Sequence, residues 1–551
     1  MTTYTLMMLE ISGIQPFIFG SNNLRINVSS SALVAAVTDK WLEEILGQGE
    51  LDLQHNIEKG RPLELAIEAD GLDVEAIYIG GGNAFLLVRD TADIGRITEQ
   101  LSTRLLIEAP ELRVVMATET ISWDQEILTD KHQALRGKLA THKLHTAKNR
   151  PMAGLGVTSA CAYTGQPAAN LWYGTPVSHP IVTRVEKYLE YADQQFYDLI
   201  PDLKQGELEQ VKDFEDFSGS DESGYIAIVH ADGNRMGERI KQLSKKYNSP
   251  QQNRAYADKL RQFSESAREA AINALTATVK RLLQSRQEDK GKYFWQRSNA
   301  PKGTDLPNVV QSKHRDKETG EIIPVIPFRA IVFGGDDVTF VCHGRLGLAM
   351  AQHYLHVYGQ QPIVDDEGSA VGRAGVAIVH THFPFAVGYG LADSLATNAK
   401  EQGKDEKTKA DGMRASIDWH FGVNGLIAGL DTIRSSSYTV AEGQLQARPL
   451  RLQSTTDWRS WETFEELVTE FQTGEKWHGR RNKVKALQTA LRGGFVHTQS
   501  FLTNYDLPDL PAAKNVQPGA RQTGWFGNTC VYFDALEAAD FYIPLEVADD
   551  N

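Results

Sequence analysis

With 551 residues, 41% of them hydrophobic and 23% charged, the chain has the composition of a globular protein built from several packed units, which excludes disordered and fibrous classes. Lys plus Arg number 57 against 71 Asp plus Glu, a formal charge of −14, so no overall field draws in nucleic acid and any polyanion contact must be local. The three cysteines, Cys161, Cys342 and Cys530, leave no disulfide framework and no Cys-x-x-Cys zinc pair. With no apolar run long enough for a membrane span and no leader-like start, a cytoplasmic location is expected.

In chain order, the apolar run Tyr4 to Leu9 ends in Glu10 and predicts a strand. Ile77-Tyr78-Ile79 then enters Gly80-Gly81-Gly82-Asn83, Ala84 to Val88 follows, and Leu112 to Ala117 reads as a further strand. Glycines between two short β-branched and aromatic runs are a hairpin signal, because they supply the positive φ of a tight turn. Residues 121–212 look mainly helical and 213–224 read as an acidic linker. Within them Lys131, Arg136, Lys138, Lys143, Lys148 and Arg150 form one local basic run.

Tyr225 to Val229 then leads to Asp232. Apolar residues at Tyr256, Leu260, Phe263, Ala267, Ala271, Leu275, Val279 and Leu282 keep steps of three or four, which predicts an amphipathic helix over 251–286. A polar, proline-bearing insertion covers 298–324. Ala330 to Phe333 runs into Gly334-Gly335-Asp336-Asp337, Val338 to Cys342 follows, and Arg373 to Val379 closes the set. The two halves repeat one order, strand, helix, hairpin, helix, strand, which is the split βαββαβ arrangement of ferredoxin-like sheets. The expected fold is therefore α+β, with two ferredoxin-like palm domains over 1–120 and 225–435, a helical linker over 121–224, and a C-terminal helical domain over 436–551. The last carries helical patterns at Trp461 to Phe471 and Asn482 to Leu491 and a second basic run, Arg480, Arg481, Lys483, Lys485 and Arg492.

The chemistry points to the second hairpin. Asp336 and Asp337 stand at its turn, and Asp232 at the end of a neighbouring strand can reach the same place. Carboxylates this close repel unless a hard cation neutralises them, and oxygen ligands suit Mg²⁺ or Mn²⁺, so two such ions are expected. Gly334 and Gly335 would let a nucleotide approach the backbone, and Gly233 and Asn234 lie at the same strand end. Asp in a Gly-rich turn is also common for turn chemistry alone. Flanking strands, the upstream Asp232, and Lys400 in Leu391-Ala392-Asp393-Ser394-Leu395-Ala396-Thr397-Asn398-Ala399-Lys400, whose core face of Leu391, Leu395 and Ala399 leaves the lysine free, favour a nucleotide site.

The segments YIAIVHADGNRMG, FRAIVFGGDDVTFV, RAGVAIVHTHFPF and LADSLATNAK resemble, in order, the active palm of the large subunit of type III CRISPR effector complexes, a family related to GGDEF cyclases. LEISGIQPFIFGSNNLRINVSSSALV and IYIGGGNAFLLV are similar to that family's first palm. The resemblance implies an enzyme that condenses ATP into cyclic oligoadenylates for antiviral defence, with Asp232, Asp336 and Asp337 as catalytic metal acids and Lys400 meeting the triphosphate. Asn234 stands where relatives often have Asp. In the first palm Glu10, Gly82 and Asn83 replace Asp232, Asp336 and Asp337, so that palm should hold no metal pair and should complete a pocket. The family's zinc ribbon is reduced to Cys161-Ala162-Tyr163-Thr164-Gly165, so no zinc is expected, and since the first palm begins at Tyr4 no nuclease domain is expected either.

Other residues carry a blander reading. Alternation puts His380 and His382 on one strand face without a third ligand, and Trp458, Trp461 and Trp477 fit a helical core. Arg25 would be a surface or a phosphate-contacting residue. The leading expectation is a nucleotidyltransferase that joins nucleoside triphosphates, with release of pyrophosphate, into cyclic oligonucleotides. Its partners would be ATP, and RNA, CRISPR-like subunits or a second copy of the chain. The alternatives are a catalytically silent scaffold binding RNA or subunits through the basic runs, a cyclic dinucleotide synthase, and an enzyme conjugating ATP to a metabolite.

Overall fold

The computed structural model describes residues 2–547 other than 48–50, 146–155, 202, 204–207, 219–223, 290–291, 298–309, 316–319, 367, 403–413, 423–428 and 454–455. Lys148, Arg150 and most of the 298–324 insertion therefore lie outside the described residues. The first palm is built from β1 (Thr3–Ser12), α1 (Ile14–Phe19), α2 (Leu24–Thr38), β2 (Val74–Gly80), β3 (Asn83–Val88), α3 (Thr91–Glu108) and β4 (Arg113–Ser122). Its strands lie in the order β2-β3-β1-β4, all antiparallel. The central β1 is buried along both faces, which its continuous apolar run, lacking polar alternation, already indicated.

Two helices follow, α4 (Leu128–His145) and α5 (His179–Leu199). Between them the linker, expected to be helical, also carries a hairpin of Asn170–Trp172 and Thr175–Val177. Strands of three residues are too short to leave a readable period in the sequence. Cys161 packs here in a small cluster with Ile26, Val177 and Ile181.

The second palm comprises β5 (Tyr225–Gly233), α6 (Met236–Ser244), α7 (Asn253–Gln284), β6 (Phe328–Val332), β7 (Asp337–His343), α8 (Gly347–Tyr358), β8 (Gly372–His380), α9 (Phe385–Gln402), β9 (Ser416–Gly422) and β10 (Leu450–Arg451). The sheet order is β6-β7-β5-β8-β9-β10. Its first four strands repeat the order of the first palm, so the internal repeat seen in the sequence is a repeat of topology. The beginning of the chain after 435 still serves this palm, since β10 pairs with β9.

Successive strand residues face opposite sides of a sheet. Ala227, Val229 and Ala231 of β5 pack in one core with α7 and α8. Ile226 and Ile228 face the other way, into a core shared with α9 and with α1 and α2 of the first palm. There Phe19 stacks on Tyr389 with ring centroids 3.7 Å apart.

The 32-residue α7 joins the palms a second time. Tyr256, Ala257 and Leu260 enter a first-palm core, whereas Phe263 through Leu282 enter that of the second palm. The C-terminal part holds α10 (Trp461–Thr473), α11 (Arg481–Arg492) and α12 (Phe495–Asn504). It is not wholly helical, because Thr439–Val440, Gly443–Gln444, Thr529–Cys530 and Trp525–Phe526 form a small sheet. No helix among the described residues is long and apolar enough to cross a membrane.

Candidate active site

Pairing of β5 with its two neighbours sets three side chains in a row. Asp232 lies directly opposite Asp337 of β7 on one side and opposite Arg373 of β8 on the other. Directly opposed side chains are about 4.5–5.5 Å apart at Cβ, so the two acids are brought together by register alone. Asp232 shares its face with Ile226 and Ile228, which is the α9 side. Asp336, one residue before Asp337, turns to the opposite side, where a Cβ added to Gly233 would come within 2.7 Å of the Tyr358 hydroxyl and 3.3 Å of the Asp336 Cβ. The turn that allows this begins at Gly334, with φ at +114°, a value side chains rarely adopt.

Arg373 is the counter-charge of Asp232. Its Nη2 donates to Asp232 Oδ2, and its Nη1 donates to Asn234 Oδ1 at 2.7 Å. His230, buried two residues before Asp232 and so on the same face, shares a hydrogen bond of 3.1 Å between its Nδ1 and Thr339 Oγ1. The same ring lies between two acids, with Nδ1 3.3 Å from Asp337 Oδ1 and Nε2 3.5 Å from Asp393 Oδ1 of α9.

Asp337 keeps 42% of its side-chain surface open, yet its Oδ1 is sealed and lacks a hydrogen-bond partner. Loss of hydration, then the charges of Asp336 and Asp393, push its carboxyl up to about 7 against the pull of Arg373. Asp232 is pushed up to about 6, first by burial, with Arg373 opposing and Asp336 and Asp337 adding to the rise. Asp336 is raised by burial as well, and burial lowers His230, so that its neutral form is favoured.

Asp336 borders a cleft of about 540 Å³ between the palms, within the range of small-molecule sites. Gly334, Gly335 and Asp336 form one wall, and Glu10, Gly80, Gly81 and Asn83 of the first palm form the other. Arg136, Ala140 and Lys143 of α4 and Ser264, Ala267 and Arg268 from the middle of α7 close the sides. In the first palm Glu10 opposes Asn83 in the register by which Asp232 opposes Asp337. Glu10 is paired with Lys143, so a tethered ammonium balances the acid that remains there.

Of the residues singled out in the sequence, Asp232 and Asp337 meet directly, while Asp336, Gly334 and Gly335 face the cleft. Gly233 is a packing glycine beneath Tyr358, and Asn234 is buried as the acceptor for Arg373. Lys400 is half-buried at the end of α9, two turns beyond Asp393, and adds to a lowering of the Glu238 carboxyl led by Arg235. Sequence reading missed Arg373, His230 and Asp393. Each lay inside a segment already marked, but only strand register and helix docking show that they face the acids.

The declined residues keep their bland roles. Trp461 and Trp477 are buried, His382 is exposed 3.6 Å from Glu215, and Arg25 lies 3.4 Å from Asp213 and over the Tyr173 ring. Members of both basic runs are engaged by the fold. Lys131 and Lys138 pair with Glu119, Arg481 with Asp540, and Lys483 lies over Trp477.

A divalent cation suits the donor chemistry of this strand end, where Asp232, Asp336 and Asp337 offer carboxylate oxygens and Asp337 Oδ1 has no hydrogen-bond partner. No three His, Cys, Asp or Glu side chains among the described residues already form a ligand set.

Residues 225–408 match the family model described as Cas10/Cmr2, second palm domain. No curated protein sequence matches the chain. The apo Csm1–Csm4 cassette has a TM-score of 0.52 at 14% identity, over 98% of this chain and 70% of that one. The Csm1–Csm4 cassette in complex with AMPPNP gives 0.51 at 14% identity over 98% and 70% of the two chains, and the one in complex with cA4 gives 0.50 at 14% over 98% and 69%. At such identity the likeness is one of fold. Residues 225–408 are thus similar to the second palm of Cas10/Cmr2, and the chain as a whole shares the fold of Csm1.

Proposed function

Taking a Cas10-like second palm as premise, we propose that the chain is a divalent-cation-dependent nucleotidyltransferase that condenses nucleoside triphosphates, ATP first among them, into cyclic oligonucleotide messengers of antiviral defence. The observation that carries this reading is the Asp232–Asp337 cross-strand pair at a hairpin whose Gly334, Gly335 and Asp336 line a cleft shared by two palms. The similar structures include cassettes with AMPPNP and with cA4, which supports a nucleotide in the cleft and a CRISPR subunit as partner.

Asp232, Asp336 and Asp337 are the catalytic acids of this reading. Asp232, Asp336 and Asp337 would hold Mg²⁺ or Mn²⁺, which would lower the pKa of an attacking ribose hydroxyl and screen phosphate charge. Asp232 works from its place against Arg373. Gly334 and Gly335 keep the hairpin bare, so that phosphate can approach the backbone, and Lys400 offsets charge on departing pyrophosphate. Gly80, Gly81 and Asn83 give the first palm's side of the cleft to the second nucleotide.

The scaffold reading is less well supported, because Lys131, Lys138 and Arg481 of the basic runs it would use are already paired within the fold. Mass spectrometry of products from the four ribonucleoside triphosphates with Mg²⁺ or Mn²⁺ tests the proposal. Wild type should yield oligonucleotides, and Asp336→Asn with Asp337→Asn should yield none above a protein-free control while keeping the wild-type circular dichroism spectrum. Full activity in that double variant would remove the site assignment.

A further inference from the structure

Resting on the reading of the cleft as a nucleotide site, we infer that Arg136 and Lys143 of α4 hold the polyphosphate of the nucleotide on the first palm's side, and that they do so without a metal ion. A divalent cation is held by clustered acids. The first palm has Gly82 and Asn83 where the second has Asp336 and Asp337, which leaves Glu10 as the only acid among the described first-palm residues that line the cleft. Phosphate charge on that side must therefore be met by side chains.

Helix α4 offers them in one stripe. His132, Arg136, Ala140 and Lys143 recur at steps of three and four, so they share a face, and all four line the cleft. Arg136 and Lys143 are about 10 Å apart along the axis at 1.5 Å per residue, a span on the scale of a triphosphate and its ribose. Arg136 is exposed and makes no hydrogen bond or ion pair with the described residues. Its charge is felt by Tyr78, His132 and Tyr256, none of which is an anion at neutral pH. The other charges of the cleft are already answered or lie elsewhere. Lys143 is paired with Glu10, Arg268 donates to the Gly60 carbonyl at 3.2 Å and faces the charge of Asp39, and Asp336 stands on the opposite wall. Among the described lining residues, Arg136 is thus the cation that no acid balances, and a guanidinium fork matches phosphate oxygens two at a time. The wall between the stripe and the second palm is bare as well, since a Cβ added to Gly81 would meet nothing within 4 Å. Met8, Ile79, Leu139, Leu260 and Phe263 line the same cleft and give a base an apolar surface.

Calorimetric titration of the full chain with ATP in excess chelator tests this, with inorganic tripolyphosphate as competitor. Wild type should bind one ATP per chain without metal, and tripolyphosphate should displace it. Arg136→Ala and Lys143→Ala should each weaken binding at least about tenfold, the loss of one charge-assisted hydrogen bond. Glu10→Gln, which frees the Lys143 ammonium, should tighten it, a change of sign that a merely structural role would not produce. Lys138→Ala removes a cation from the same helix, paired with Glu119 and off the cleft face, and should bind as wild type does. All four side chains are exposed or half-buried, so the variants should keep the wild-type circular dichroism spectrum. No binding in chelator, unchanged binding in Arg136→Ala, or an equal loss in Lys138→Ala would overturn the inference. Products are read separately. A wild type that binds ATP in this way and makes no oligonucleotide counts against the proposed reaction alone, and one that makes oligonucleotides while Arg136→Ala binds and reacts equally well counts against the phosphate site alone.

Discussion

Asp337 and Asp232 oppose one another across two antiparallel strands, and their surroundings favour the protonated forms, at about 7 and about 6. An unfolded chain would ionise both near 3.9. Between about 4 and about 7 the folded chain therefore holds protons that the unfolded chain has released, and unfolding free energy falls as pH rises. Stability present below about pH 4 is lost progressively and fully gone above about pH 7, the reverse of an acid held by a salt bridge. In chelator, the melting temperature of wild type should fall from pH 5 to pH 8 by more than that of Asp337→Asn, and Mg²⁺ or Mn²⁺ should flatten the fall by favouring the ionised acids. Parallel profiles in the two proteins would show that Asp337 is not perturbed. The acids themselves were legible from Gly-Gly-Asp-Asp and an upstream strand end. Their partner Arg373 was not, because one cation at the head of an apolar strand carries no sign of which residue lies opposite until the strands are paired.

The helix α7 shows what periodicity conveys at the scale of an element and what it withholds. Steps of three and four marked its apolar stripe almost to the residue, yet the stripe serves two cores, with Leu260 in the first palm and Phe263 in the second. A moment of hydrophobicity gives a direction around a helix and says nothing about how many bodies lie along it. The joint is also ionic. Glu75 of β2 is fully buried and receives Arg254, 179 positions away, and Arg261, which is itself 4% exposed. In the sequence it is one acid inside an apolar strand, a feature that reads as surface alternation. Removing one partner of a buried pair leaves the other uncompensated, which costs about 3–5 kcal/mol. Glu75→Ala should lower the unfolding free energy by about that amount in urea titration, while a loss near zero would mean that the two arginines find other acceptors or water.

Across the whole molecule, one topology is used twice and only one copy keeps its acids. In the second palm the strand-end acid faces Asp337; in the first, Glu10 faces Asn83 and takes an ammonium from Lys143. The copies meet with their glycine hairpins on opposite walls of one cleft, and α4 and α7 close it from the sides. The repeat was visible in the spacing of the two hairpins. That both hairpins would border a single space was not visible, since it depends on how Phe19 stacks on Tyr389 and how α7 ties the palms, contacts between segments far apart in the chain. If the cleft is where nucleotides meet, filling it should stop turnover while the acids stay intact. Ala140 lines the cleft from an exposed position on α4, outside every core cluster, so a larger side chain there enters the cleft without overpacking the interior. Ala140→Trp should cut product formation at least about tenfold, a barrier increase of about 1.4 kcal/mol, with Mn²⁺ binding and melting temperature close to wild type. Unimpaired synthesis in this variant would place the reaction on the α9 side of the sheet, where Asp232, Asp337 and His230 already face, and would make the first palm a structural support.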